Sequence, residues 1–164
     1  MGTLVAYRGD KNSFLGCVQS YIQGGLSLSL TEVPIVRIKD RLLIGVLNSQ
    51  SLYQYLLTGE IIFPDTSYKT ILTSLRTAQN IKDFSSAVLL IVSIIGDIYH
   101  WQDGLLYQID NEWIAIGDGK DYAMGALFGM KSTSIPPKSK IEIALECVRL
   151  YSPYDSKTMK VEAL

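Results

Sequence analysis

The pattern of apolar positions opens on short β-type runs. Thr3 to Arg8 (TLVAYR) is a β-rich run closed by the turn signal Gly9-Asp10. Ser13 to Tyr21 follows as a second strand, with Leu15, Cys17 and Gln19 on one face and Phe14, Gly16 and Val18 on the other. The short, turn-rich connection predicts a hairpin between the two. Gly24-Gly25 and the Ser/Leu alternation of 26–30 read as a loop or an edge strand. Pro34 to Arg41 alternates, Asp40-Arg41 predicts a turn, and Leu42 to Leu47 is apolar enough for a buried strand.

The period then becomes helical. Leu52, Tyr53, Leu56 and Leu57 predict one helix, with Gly59 as its left-handed cap. Tyr68, Ile71, Leu72, Leu75 and Ala78 mark a second helix with one apolar stripe. Ala87 to Ile95 is a central strand by composition, turned by Gly96-Asp97. Ile98 to Trp101 and Leu105 to Ile109 are short strands, Asp110-Asn111 is a turn, and Trp113 to Ile116 runs into the glycine turn Gly117-Asp118-Gly119. Tyr122, Ala126 and Met130, with Ala123 and Leu127 beside them, predict a third helix. Gly125 and Gly129 lower its propensity, so close packing against a neighbour is expected to compensate. Ser139 with Glu142 reads as a capping box for a fourth helix. That helix is apolar at 141, 145 and 148 and again at 143, 147 and 150, which predicts cover by a sheet on one side and a helix on the other. Thr158 to Leu164 is a last strand. Strands, two helices, strands, two helices and a strand do not alternate as in a doubly wound fold. The order predicts an α+β chain, a four-layer αββα sandwich in a single domain over 1–164.

Composition narrows the chemistry. At 164 residues, 48% hydrophobic and 19% charged, the chain can bury one substantial core. Ten tyrosines against four phenylalanines suit half-wet positions such as subunit contacts. A formal charge of −1 with no basic run argues against nucleic acid. The longest apolar run, 87–95, is far short of the ~20 residues of a membrane helix, and no signal pattern stands at the N-terminus. Cys17 and Cys147 lack metal-type spacing and read as free thiols in a reducing, cytoplasmic setting. No cofactor or metal is expected. Asp118 and Asp121 lack the alternating acids of a calcium loop, and Asp118 reads instead as a helix cap. Cys17 as a nucleophile would need a base, and the one histidine, His100, lies on a remote strand as a packed surface residue beside Trp101.

Blocks spanning nearly the whole chain carry a family resemblance. They are TLVAY with FLGCVQS returning, IVRIKDRLLIGVLNS leading into a helix, WIAIGDGKDYAMGAL, and the C-terminal IEIALECVRLYSPYDSKTMKVEAL. Together they resemble a proteasome β-subunit, most nearly bacterial HslV and its phage-encoded relatives. The resemblance implies the N-terminal-nucleophile hydrolase fold, which agrees with the predicted order. It also implies a mechanism: an N-terminal Thr hydroxyl attacks a peptide carbonyl and its own amine accepts the proton. A lysine tunes these groups, an aspartate holds the lysine, the glycine turn supplies a serine, and a backbone N–H stabilises the oxyanion.

The sequence departs from that pattern where the chemistry should be. Gly2 stands at the nucleophile position, Cys17 at the acid, Val33-Pro34 where the lysine belongs, Asp118 at the serine, and Leu47-Asn48-Ser49 at the small glycine pair. An amine without its tuning lysine is a poorer base, and losing such a group costs orders of magnitude in rate. The expectation is a pseudoenzyme that works in assembly. Its partners would be copies of itself, in a ring or stacked rings, or other phage structural proteins, in the host cytoplasm or the virion. The alternative is an active threonine peptidase or amidase, because Gly2-Thr3 has the local sequence at which some subunits cut themselves to free a Thr. A further alternative is a small-molecule module reusing the vacated cleft.

Overall fold

The computed structural model describes residues 2–21, 33–151 and 155–164, so the run at 26–30 lies outside the described residues. The elements in order are β1 (Gly2–Arg8), β2 (Ser13–Tyr21), β3 (Ile35–Ile38), β4 (Leu42–Leu47), α1 (Gln50–Leu57), α2 (Tyr68–Ile81), β5 (Val88–Ser93), β6 (Ile98–Gln102), β7 (Leu105–Ile109), β8 (Trp113–Gly117), α3 (Lys120–Gly129), α4 (Pro137–Tyr151) and β9 (Asp155–Ala163). They form two antiparallel sheets, one ordered β8-β1-β2-β9 and the other β3-β4-β5-β6-β7. The expected α+β sandwich is what the chain forms.

Three apolar layers hold it together, and strand alternation assigns each residue to one of them. Leu4, Ala6, Leu15 and Cys17 meet Leu43, Leu90, Val92 and Ile98 between the sheets. Val5, Tyr7, Phe14 and Val18 turn the other way, under Ala123 and Leu127 of α3 and Ile141, Ala144, Leu145 and Val148 of α4. Ile44, Leu89, Ile91, Tyr99 and Trp101 pack against Leu52, Leu56, Ile71 and Leu75 of α1 and α2. The sheets approach closely where Leu4 lies over Gly45, since a Cβ there would stand 2.6 Å from Leu4 Cδ2. Among the described residues no helix is long and apolar enough to cross a membrane.

Several expectations need correction. The turn after β3 is centred on Lys39-Asp40, one residue earlier than expected: both are left-handed, at φ 48° and 50°, and the Arg41 N–H donates to the Ile38 carbonyl at 2.9 Å. The strand predicted to reach Ile95 stops at Ser93, leaving Ile94 and Ile95 exposed in the turn to β6. The fourth helix begins at Pro137, with the Pro136 carbonyl accepting the Lys140 N–H. Ser139 and Glu142 therefore lie inside the helix and form no capping box; proline at the first helical position sets the start. The helix packs on the sheet and on α3 as expected, but its second apolar face is not covered among the described residues, since Ile143 and Leu150 are exposed. Gly125 and Gly129 likewise face open space, with no close neighbour to compensate for their flexibility. The last strand starts earlier than expected, at Asp155.

His100 is half-buried and packs on the Tyr107 ring. Tyr99 and Trp101 on either side face α1 and α2, so alternation turns His100 toward the opposite sheet. Its Nε2 is buried with no hydrogen-bond partner among the described residues, and burial pushes the imidazole below its ordinary range. The unfolded chain takes up this proton near its ordinary value while the native state resists it, so the folded state is favoured above that value and loses ground below it. Thermal unfolding should therefore show a midpoint that falls from about pH 7 to about pH 5. His100→Leu should flatten that part of the profile.

Candidate active site

The start of β1 is sewn to the glycine turn that follows β8. Thr3 pairs with Gly117 in register, and the Asp118 N–H donates to the Gly2 carbonyl at 3.2 Å. Gly117 has φ +100°, and a Cβ on it would stand 2.0 Å from the Gly2 oxygen, so no other residue fits. One residue further on, Thr3 Oγ1 accepts the Gly119 N–H at 2.8 Å, and this pair is buried. The hydroxyl thus satisfies a donor that the helix start leaves free. The cap residue of α3 is Gly119, which makes no side-chain cap, and Asp118 is exposed. Asp118 is therefore not the cap expected of it. Asp121 supplies the acidic group in the first turn.

The space around Gly2 is filled. Gly2 is buried, and a Cβ built on it would lie 2.9 Å from the Val18 carbonyl oxygen. A threonine there would force the neighbouring strand to shift. Leu47, the last residue of β4, reaches over both glycines. Its Cδ2 would be 3.4 Å from a Cβ on Gly2, and its Cδ1 3.1 Å from one on Gly117. Leu47 is only 7% exposed, so its isobutyl group plugs this end of the sandwich.

The other predicted positions are held by different parts of the fold. Cys17 lies between the sheets in register with Leu4, and burial pushes its thiol up to about 12. It is a packing group, unable to serve as the acid or as a thiolate near neutrality. Pro34 precedes β3 and its carbonyl accepts the Val46 N–H at 2.9 Å, while Val33 packs into the inter-sheet layer. Thr3 is 1% exposed and shares its face with Val5 and Tyr7, beneath α3 and α4, so it and Cys17 point to opposite sides of one sheet. Lys11 and Lys39 sit in the β1–β2 and β3–β4 turns, at the far ends of strands whose near ends are Gly2 and Leu47. Lys160 pairs with Cys17 in register, but its ammonium is 2.5 Å from Glu162.

The sequence reading passed over Gln19. It pairs with Gly2 in register, and its Oε1 is buried with no hydrogen-bond partner among the described residues. A polar residue continuing the apolar Leu15–Cys17 face was the signal available.

Thr3→Val keeps the shape of the side chain and removes the acceptor. It should destabilise the fold by about 1–3 kcal/mol in denaturant unfolding, the cost of an unsatisfied buried N–H, while Thr3→Ser should retain most of the stability. A thiol reagent should modify the partly exposed Cys147 in the native protein and reach Cys17 only on unfolding.

Comparison with known proteins bears on the fold. No protein-family model and no curated protein matches the sequence. Among solved structures, BPH of Thiobacillus denitrificans in complex with epoxomicin superposes with a TM-score of 0.79 at 15% identity, covering 99% of this chain and 97% of that one. BPH of the same organism on its own gives 0.77 at 16% identity over 99% and 97%. Eukaryotic HslV from Trypanosoma brucei gives 0.78 at 18% identity over 99% and 98%. At nearly full coverage of both partners, the two sheets and their flanking helices have the fold of BPH and HslV.

Proposed function

We propose that this chain is a catalytically degenerate proteasome-like subunit whose role is assembly. The observation that carries the reading is the packing at Gly2. A backbone carbonyl and the Leu47 side chain occupy the space that a nucleophilic side chain would need, and Cys17 offers no charge with which to hold a lysine. Thr3, the alternative nucleophile, has its hydroxyl engaged by Gly119 beneath α3. For Thr3 to act, the backbone would have to part between Gly2 and Thr3 and the start of β1 would have to leave its seat on the glycine turn.

Assembly is supported by the outer surface of the α3/α4 layer. Ile143, Leu150, Tyr122 and Tyr151 are all exposed there, and the two tyrosines stack on each other at 6.4 Å. Two flexible glycines in α3 add a flat, accessible strip of backbone beside them. An apolar surface of this kind on a folded chain suits contact with another protein surface. In this reading the partners are further copies of the chain and, for a phage-encoded protein, other structural proteins of the particle.

BPH forms a complex with epoxomicin, which makes that compound a direct probe. Incubation of this chain with epoxomicin should leave its intact mass unchanged. An adduct mapped to Thr3 and abolished by Thr3→Ala would overturn the reading in favour of an active threonine peptidase or amidase. Light scattering at micromolar concentration should give a multiple of the chain mass. Ile143→Glu combined with Leu150→Glu should reduce it to one chain with an unchanged circular dichroism spectrum; a single-chain mass for the unaltered protein would count against assembly.

A further inference from the structure

A cavity of about 300 Å³ opens between the β7–β8 turn and the C-terminal half of α3, well separated in the fold from Gly2 and Leu47. That is the low end of the size range of small-ligand sites. Its wall combines an indole, a thioether and a phenyl ring (Trp113, Met124, Phe128) with Glu112 and Asn111 on the turn and Lys131 just past the helix. Phe128 is 73% exposed, so a large apolar group is held open to water beside the cavity.

Two of these groups are held in place by one buried residue. The Tyr7 hydroxyl donates to Glu112 Oε1 at 2.7 Å, and the Tyr7 ring stacks on Trp113 at 5.7 Å with only 19° between the planes. The Arg8 N–H further fixes the turn by donating to the Glu112 carbonyl at 2.7 Å. Burial, and then the Glu112 bond itself, push the Tyr7 phenol well up, so it stays a donor at every ordinary pH. Glu112 thus presents its second oxygen from a defined position beside the exposed part of an aromatic plane. A carboxylate next to an indole favours an ammonium group. The Lys131 ammonium forms no ion pair or hydrogen bond among the described residues, and it does not pair with Glu112. The cavity therefore offers an acid and a base that are apart from each other, with apolar surface between them.

We infer that this cavity binds a free α-amino acid with a large apolar side chain. The ammonium is taken by Glu112 over Trp113, the carboxylate by Lys131 with the Asn111 amide, and the side chain lies on Met124 and Phe128. A zwitterion matches both charges at once, whereas a simple cation or anion matches one and meets the like charge of the other.

The test uses the whole chain and L-phenylalanine as the probe, followed by titration calorimetry or chemical-shift perturbation. L-Phenylalanine should bind at millimolar concentration or better. Phenylalanine amide, which lacks the carboxylate, and N-acetylphenylalanine, which lacks the ammonium, should each bind about tenfold more weakly, the scale of one lost hydrogen bond to a charged group. Glu112→Gln keeps an acceptor for Tyr7; it should weaken L-phenylalanine about tenfold and bind N-acetylphenylalanine at least as well as the unaltered protein does. Lys131→Met should weaken L-phenylalanine and bind the amide at least as well as the unaltered protein does. Absence of binding by the unaltered protein, or L-phenylalanine binding by both variants equal to that of the unaltered protein, overturns the proposal. Tighter binding of the amide than of the amino acid would mean a cation site instead, and would overturn it as well.

Discussion

The molecule depends on how the first strand is seated on the glycine turn. Two hydrogen bonds, from Asp118 N–H to the Gly2 carbonyl and from Gly119 N–H to the Thr3 hydroxyl, join residues more than a hundred positions apart in sequence. They work only because Gly117 has no side chain and a positive φ, which lets the backbones of β1 and the turn touch. The contact fixes the end of β8, the start of α3 and the start of β1 together. From there the parity of β1 follows: Leu4 and Ala6 go between the sheets, Thr3, Val5 and Tyr7 go under the helices. A shift by one residue would exchange those faces and bury the wrong set.

The same constraint shapes the chemistry. This junction is packed as a structural joint. Thr3 supplies a hydrogen-bond acceptor to a helix start, Gly2 supplies a carbonyl to a turn, and Leu47 closes the space above them. Cys17 adds volume to the inter-sheet layer, and His100 reaches toward that layer from β6 without a partner for Nε2. An unsatisfied polar atom at this depth lowers stability and must be carried by the surrounding apolar contacts. Among the described residues the interior thus keeps isolated polar groups, Gln19 and His100, within apolar layers.

Much of this was legible from residue pattern. Apolar-rich runs at 3–8, 13–21 and 42–47 marked strands because their faces are largely buried. Helical spacing in 68–78 marked α2 because a single apolar stripe faces the sheet. The blocks around Gly117 carried the family resemblance, which the superposition with HslV and BPH supports at the level of the fold. Boundaries were less legible. Ser139 with Glu142 matched a capping box in composition, but Pro137 starts the helix two residues earlier, and no local pattern ranks those two signals. The uncovered face of α4 and the open glycines of α3 escaped the pattern because periodicity records which positions are apolar and not what covers them.

By itself the sequence determined the order and type of the elements and the four-layer architecture. Local periodicity and residue identity suffice for those, since each depends on short stretches of chain. Only the tertiary structure decided that Leu47 lies over Gly2, that Thr3 and Cys17 face opposite sides of their sheet, and that Tyr7 orders Glu112 and Trp113 beside an open cavity. Those facts depend on register between strands distant in sequence and on the distance between layers. Both are set by packing across the whole molecule.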